Sequence, residues 1–314
     1  MSGAVRQAPF PTDDRLTAIA IATKNKMLVG QEVLPFTPLP SSEYRWLLYP
    51  EGEQFTLPNM MVGRTSTPKA IETEASEQSG ITKDYGVRSV IPQRDMDRVS
   101  ENYDPLSHKT EWLTNLMLLD LEVRIAGMVF NPDTYAASNK EALSGTAQFS
   151  DFTNSDPLAK FLSVMDGLVM RPNKIVMGYG VWSVLRQHPK LVRAFHGNDG
   201  GDGLVTQAFL AQLLEVDQVL VGQGWLNTAR EGQPVNFQRV WGNSILLLYS
   251  DRLSGPQTGT SFGWTGQFGT RFVGRWEDRD VGLRGGTVIQ TGWEIDPRVA
   301  APGLGYLLQN VVAA

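Results

Sequence analysis

The chain has 314 residues, 41% hydrophobic and 19% charged, with a formal net charge of −5; that is long and apolar enough for a sizeable core in one large or two medium domains. An acidic chain lacks the clustered Lys and Arg that give general affinity for nucleic acid or anionic membranes through counterion release. The absence of cysteine excludes disulfides, thiolate metal sites and cysteine nucleophiles, and leaves the redox compartment undetermined.

The first residues, MSGAVRQAPFPTDD, have no long apolar core and carry Asp13 and Asp14, so they do not read as a secretory signal peptide. No uninterrupted apolar run is long enough to span a bilayer, and no Asn-x-Ser/Thr acceptor occurs. The expectation is an unglycosylated chain made in the cytoplasm, with no membrane partner. Residues 1–40 read as an arm: Pro9, Pro11, Pro35, Pro38 and Pro40 discourage regular structure, with a short helix at about 15–29. Within Leu16–Pro50, LTAIAIATKNKMLVGQEVLPFTPLPSSEYRWLLYP, so many apolar side chains among so many prolines require cover from elsewhere.

Residues 41–92 read as a long two-stranded excursion closing on itself, with YRWLLY and YGVRSVI as strands and a Gly-, Pro-, Ser- and Thr-rich middle. Such a hairpin is marginally stable alone and is expected to lie on something else. Residues 104–130 give the clearest helix: Asp104 suits the N-cap, Pro105 the first helical position, and Asn131-Pro132 the stop. Trp112, Leu116, Leu119 and Val123 share one face, widened by Leu113, Met117, Leu121 and Ile125. At 1.5 Å per residue it is a rod roughly 40 Å long. Thr134–Thr153 is polar and reads as loop.

Asp156 opens a second Asp-Pro-Leu helix, DPLAKFLSVMDGLVM. Then come a buried strand KIVMG, one or two helices in GVWSVLRQHPKLVRAF broken at Pro189, a Gly-rich loop HGNDGGDG, a helix VTQAFLAQLLEV and a strand QVLVG. This block, about 156–225, is a compact α/β unit. NSILLLYS reads as a strand, TRFVGRWE and GGTVIQTGWEID as a hairpin through DVGLRGG, and GYLLQNVV closes the chain.

The order of these pieces resembles the major capsid protein of tailed bacteriophages, with the Hong Kong 97-type fold. The residues that carry the resemblance are the arm opening at 16–50, the hairpin at 41–92, the helix at 104–130, RPNKIVMGYGVWSVLRQHPKLVRAF, VTQAFLAQLLEVDQVLVGQGWLNTA, VWGNSILLLYS and AAPGLGYLLQNVV. The resemblance covers nearly the whole chain. It implies an α+β fold with an N-terminal arm (1–40), an extended loop with flanking strands (41–92), a peripheral domain (93–155 and 266–296) with a long spine helix, and an α/β axial domain (156–265 and 297–314). It implies a shell of hexamers and pentamers enclosing double-stranded DNA, and partners that are many copies of the same chain with scaffolding, portal and decoration proteins. The family's founding member begins with a long scaffolding segment that is later removed. Here the arm begins within the first twenty residues, which implies a separate scaffolding protein or a mature sequence. In the family the arm and extended loop lie across neighbouring subunits. The apolar Leu28, Val33, Leu34, Phe36, Tyr44 and Trp46 are then expected beneath other copies and the subunit's own spine helix. Arg64, Lys69, Glu72, Arg275, Glu277 and Arg279 are expected as charged contacts of the same assembly interface. An encapsulin-type bacterial compartment has the same fold and is the alternative; a soluble α/β enzyme is a third.

Chemistry-bearing patterns are sparse. His108, His188 and His196 have no metal-ligand spacing. No GxSxG elbow occurs, and HGNDGGDG lacks the Lys-Ser/Thr ending of a phosphate loop; Asp199 and Asp202 do not fit the EF-hand spacing. RWEDRDVGLRGG reads as a charged hairpin tip rather than an acid–base pair. Trp46, Trp182, Trp225, Trp241, Trp264, Trp276 and Trp293 are scattered without basic interleaving and read as packing. The expectation is a structural protein, not an enzyme, with no catalytic, metal or cofactor site.

Overall fold

A computed structural model describes residues 11–48, 57, 59–68, 70, 76–98, 103–196, 203–253, 255–256 and 260–313. In chain order its elements are α1 (Asp14–Ala22), α2 (Gly30–Val33), β1 (Phe36–Leu39), β2 (Glu43–Leu48), β3 (Ser76–Ile81), β4 (Lys83–Pro92), α3 (Gln93–Met96), α4 (Pro105–Val129), β5 (Lys140–Ala142), α5 (Pro157–Gly167), β6 (Lys174–Gly178), α6 (Tyr179–Leu185), α7 (Pro189–His196), α8 (Gln207–Leu214), β7 (Gln218–Gly222), β8 (Trp225–Asn227), β9 (Phe237–Arg239), β10 (Ile245–Leu248), β11 (Gly263–Asp278), β12 (Gly286–Val299) and β13 (Gly305–Gln309).

Two sheets organise the chain: a four-stranded sheet in the order β1-β11-β12-β4 and a five-stranded sheet in the order β5-β13-β10-β6-β7. The second is apolar on both faces. Ile175, Met177, Ile245, Leu247 and Leu308 pack against α5 to α8, while Val176, Leu246, Leu248 and Leu307 face α4. Alternate side chains along a strand point to opposite faces, so KIVMG and ILLL, buried on both sides, read as unbroken apolar runs. Trp293 and Ile295 of β12 join the cluster around α4. One long helix is thus sandwiched between both sheets.

The start of α4 follows its sequence. The Asp104 carboxylate accepts from the backbone N–H groups of Leu106 (3.1 Å) and Ser107 (3.3 Å) and from the Ser107 hydroxyl (2.5 Å), with Pro105 in the first turn. The buried side of α4 carries Leu113, Met117, Leu121 and Ile125, together with Thr110, Thr114 and Glu122. Trp112 and Leu116, expected on the core stripe, are exposed. The helix is apolar over much of its circumference, so periodicity alone did not orient it.

Other expectations are corrected. The helix expected at 15–29 ends at Ala22, where the Thr23 hydroxyl and N–H both bond back to the Ile19 carbonyl; the chain turns at Asn25 and re-enters helix at Gly30. The arm ends in a strand, β1, which pairs in parallel with β11 and tolerates Pro38 because it lies at a sheet edge. The strand YRWLLY pairs with Ser76–Ile81, not with YGVRSVI; the latter, in β4, pairs with β12 along ten residues. SEQSGI is too polar to signal a strand by alternation. The 134–153 loop contains short 3₁₀ turns and β5, which pairs with β13.

Trp241 wedges against the paired ends of β6 and β7, and glycine makes the space: a Cβ at Gly222 would lie 2.0 Å from Trp241 Cδ1 and one at Gly178 2.4 Å from the Trp241 carbonyl. Gly222→Ala is expected to displace this indole and lower unfolding stability by roughly 1–3 kcal/mol, read by urea denaturation followed by far-UV circular dichroism.

Candidate functional site

The residues expected to form an assembly interface divide sharply. Val33 and Leu34 are covered within the chain by α4, Trp241 and Phe262, and Leu28 and Phe36 pack partly buried on the same cluster. Tyr44 and Trp46 are buried with Leu39, Trp264 and Ala300. Cover was expected from neighbouring copies and from the subunit's own long helix; within one chain, α4 and both sheets bury Val33 and Leu34, and β11 with Leu39 and Ala300 buries Tyr44 and Trp46. Arg64, Glu277 and Arg279 are exposed, and Arg275 is half-buried beside Asp13, 3.9 Å away. Lys69 and Glu72 lie outside the described residues.

What holds the N-terminal segment was not visible in the sequence. Glu122, in the middle of α4, is 2% exposed, and among the described residues no Lys, Arg or His side chain bonds to it. Its carboxylate accepts from Val29 N–H (2.8 Å), Gly30 N–H (2.5 Å) and Trp241 Nε1–H (2.6 Å). Burial pushes its carboxyl up; the three donors pull the other way. Gly30 is required there, since a Cβ would stand 2.6 Å from Glu122 Oε2. At the other end of the α2 turn, buried Lys174 of β6 donates to the Glu32 carbonyl at 2.7 Å. A carboxylate at the first N–H groups and an ammonium at a carbonyl of the C-terminal end both match the dipole of a helical turn. Arg271 of β11, pushed down to about 10 by burial, donates to the Ala20 carbonyl near the end of α1 (2.5 Å) and stacks on Trp293.

The base of the β2–β3 hairpin is fixed by a second polar junction. The Tyr44 hydroxyl donates to Asp296 Oδ2 at 2.6 Å, and Arg298 binds the same oxygen at 3.0 Å. Arg298 also covers the Trp46 ring, which meets Trp264 edge-on. Gly80, opposite Tyr44, leaves room for its ring. Beyond this base, Leu57, Met60, Met61 and Val62 are 84%, 69%, 89% and 46% exposed.

Over 307 residues the chain is 44% identical to the major capsid protein of Pseudomonas phage JBD67, covering 98% of this chain and 99% of that one. The chain belongs to the phage major capsid proteins. The major capsid protein of Burkholderia phage BcepMu is 25% identical over 274 residues, 81% of this chain and 82% of that one. The crystal structure of a phage-related protein from Bordetella bronchiseptica RB50 matches with a TM-score of 0.77 at 23% identity, covering 98% and 100% of the two chains. No family model matches. The fold of this capsid protein is α+β and of the Hong Kong 97 type, shared with solved phage capsids. The encapsulin reading becomes a minor alternative.

A contact with a catalytic look joins the residue before α7 to the turn before α5: Ser155 Oγ lies 3.0 Å from His188 Nε2. The bonding works against nucleophilic use. His188 Nδ1 accepts from Lys190 N–H (3.3 Å), so Nε2 carries the ring proton and donates to Ser155, whose own hydroxyl donates to the Asp151 carbonyl at 2.7 Å. A serine activated for attack requires the reverse, a bare ring nitrogen facing its proton. The pair serves to satisfy buried groups at the start of α7. Asp199 and Asp202 lie outside the described residues, and among the described residues no group of three or more metal-ligating His, Asp or Glu side chains occurs.

Glu122→Ala leaves three buried N–H donors without an acceptor and is expected to lower unfolding stability by roughly 3–5 kcal/mol, measured by urea denaturation of the dispersed protein. His188 is held below its ordinary value, chiefly by burial and then by the Lys190 ammonium, with Asp156 opposing. Its neutral form is therefore favoured in the folded state. The stability this contributes is complete above the unfolded value of about 6.5 and is lost as pH falls below it. A melting-temperature series from pH 7.5 to 5 is expected to decline, with a shallower decline in His188→Gln.

Proposed function

We propose that copies of this chain assemble as hexamers and pentamers into an icosahedral head shell enclosing double-stranded DNA, and that the β2–β3 hairpin is the part that reaches onto a neighbouring copy. The observation that carries this is the run Leu57, Met60, Met61 and Val62, apolar and exposed at the far end of a hairpin whose base is fixed by Tyr44, Trp46, Asp296 and Arg298. Clustered exposed apolar side chains mark interaction surfaces. The relatives named above are capsid proteins, which supplies the partner class: more copies of the same chain.

In this reading residues 156–265 and 297–314, which supply four of the five strands of the five-stranded sheet, form the axial domain around each ring centre. Residues 93–155 and 266–296, with α4 as the spine helix, form the peripheral domain at the rims. Trp112 and Leu116, outward on α4, and the charged Arg64, Glu277 and Arg279 supply further contacts, with Lys69 and Glu72 of the extended loop. Scaffolding and portal proteins are the other partners, and the mature chain resides in the virion. A net charge of −5 suits a shell that must not cling to the DNA inside it. Heterologous contacts, each weak, become stable when the arrangement closes.

Met60→Glu combined with Met61→Glu is expected to abolish particles in negative-stain micrographs while leaving the circular dichroism spectrum and melting temperature of the dispersed protein unchanged. Particles of normal size and number from this variant would remove the hairpin from the interface.

A further inference from the structure

We infer that residues 11–39 form a clamp closed on their own copy, and that each copy keeps its clamp when it joins the shell. The second half rests on the shell reading above; the first half stands on the structure of one chain.

The segment is tied at short intervals along its length. Asp13 N–H donates to the Val273 carbonyl (2.9 Å) and Arg275 N–H to the Pro11 carbonyl (3.0 Å). Val273 N–H donates to Thr17 Oγ1 (3.1 Å). Arg271 takes the Ala20 carbonyl, Gln223 N–H the Met27 carbonyl (3.0 Å), Glu122 the Val29 and Gly30 N–H groups, and Lys174 the Glu32 carbonyl. The Thr265 hydroxyl donates to the Leu34 carbonyl (3.0 Å) and Thr265 N–H to the Pro35 carbonyl (2.8 Å). These anchors come from β11 of one sheet, from β6 and the turn after β7 of the other, and from α4 between them. The segment therefore stitches the two sheets together across the helix they share.

Two features make exchange with a neighbour costly. Three anchors are buried charges, Glu122, Lys174 and Arg271. Lifting the segment takes backbone partners from all three at once, leaving Glu122 only the Trp241 indole N–H, Lys174 the Ser250 hydroxyl and Arg271 the Trp293 ring, with Leu16, Ala20, Val33 and Leu34 uncovered; buried charges that lose hydrogen-bond partners are destabilising. The exit is also pinned. Between Leu39 of β1 and Glu43 of β2 only Pro40, Ser41 and Ser42 intervene, and Thr82 holds the Ser42 carbonyl through its N–H (2.9 Å) while its hydroxyl donates to Glu294 Oε1 (2.5 Å). A segment swapped between copies needs a hinge that opens, and this one is fastened on both sides.

The chain has no cysteine, so a cysteine pair can be read without background. Glu32 and Arg252 form an exposed ion pair between the clamp and the loop after β10. In Glu32→Cys/Arg252→Cys, a short bis-maleimide is expected to join the two within one copy. On denaturing gels the product then runs as a single chain, from dispersed protein and from particles alike, with the bridged peptides confirmed by mass spectrometry. A ladder of cross-linked multimers from particles would overturn retention in the shell. Absence of the bridge in dispersed protein would overturn the clamp itself. If micrographs show no particles from wild-type protein, the shell reading fails while the dispersed-protein result still decides the clamp.

Discussion

A carboxylate buried in the middle of the long helix, held by N–H donors, constrains much of what surrounds it. Glu122 is kept by three N–H donors from two distant parts of the chain, Val29 and Gly30 on one side and Trp241 on the other. Each donor position has its own consequence. Residue 30 must be glycine for the backbone to come within reach, and Trp241 must be driven deep enough that the strands beneath it end in Gly178 and Gly222. One acidic residue thus accounts for the identity of several others far from it in sequence. A buried polar group satisfied by several partners specifies one arrangement, because any alternative leaves donors unpaired in a low-dielectric interior.

The same logic recurs with the opposite sign at Lys174 and Arg271, which bind carbonyls of the N-terminal segment. The apolar core alone does not fix how that segment lies; Leu16, Ala20, Val33 and Leu34 would be covered by a range of positions. Charges directed at individual backbone atoms select one register among them. Packing supplies the attraction, and the buried charges supply the address.

Much of the fold was legible in the sequence where local chemistry decides. Asp104-Pro105 and Asp156-Pro157 mark helix starts through caps that the structure shows bonded as expected, and the short apolar runs at 174–178, 218–222 and 245–248 are the strands of the five-stranded sheet. Illegible parts were those settled by distant partners. Ser76–Ile81 is a strand because Glu43–Leu48 lies beside it, not because its own residues favour one. The hairpin of β8 and β9, with Arg239 between the Tyr179 and Trp225 rings, gave no alternation to detect. The apolar residues of the arm show in the sequence that it needs cover, but sequence does not say from which chain, since an intramolecular and an intermolecular partner bury the same surface. Of the candidate site, exposure of Arg64, Glu277 and Arg279 fits a surface role, whereas Val33, Leu34, Tyr44 and Trp46 belong to the interior.

That last distinction separates what folds the chain from what assembles it. With the N-terminal segment covered by its own chain, Leu57, Met60, Met61 and Val62 beyond the hairpin base and Trp112 and Leu116 on the outward side of α4 are among the large apolar side chains that stay exposed. The hairpin suits this division. Its base is rigid, because Tyr44, Asp296 and Arg298 form a closed polar group and Trp46 is held between Trp264 and the Arg298 guanidinium. At its far end the described Leu57, Met60, Met61 and Val62 are exposed, and a two-stranded ribbon is marginal without a surface to lie on. A rigid base fixes the direction in which the tip is offered and so reduces the freedom lost when it docks. In the proposed shell, chain entropy at the tip is then the part of the cost that a neighbouring surface must offset.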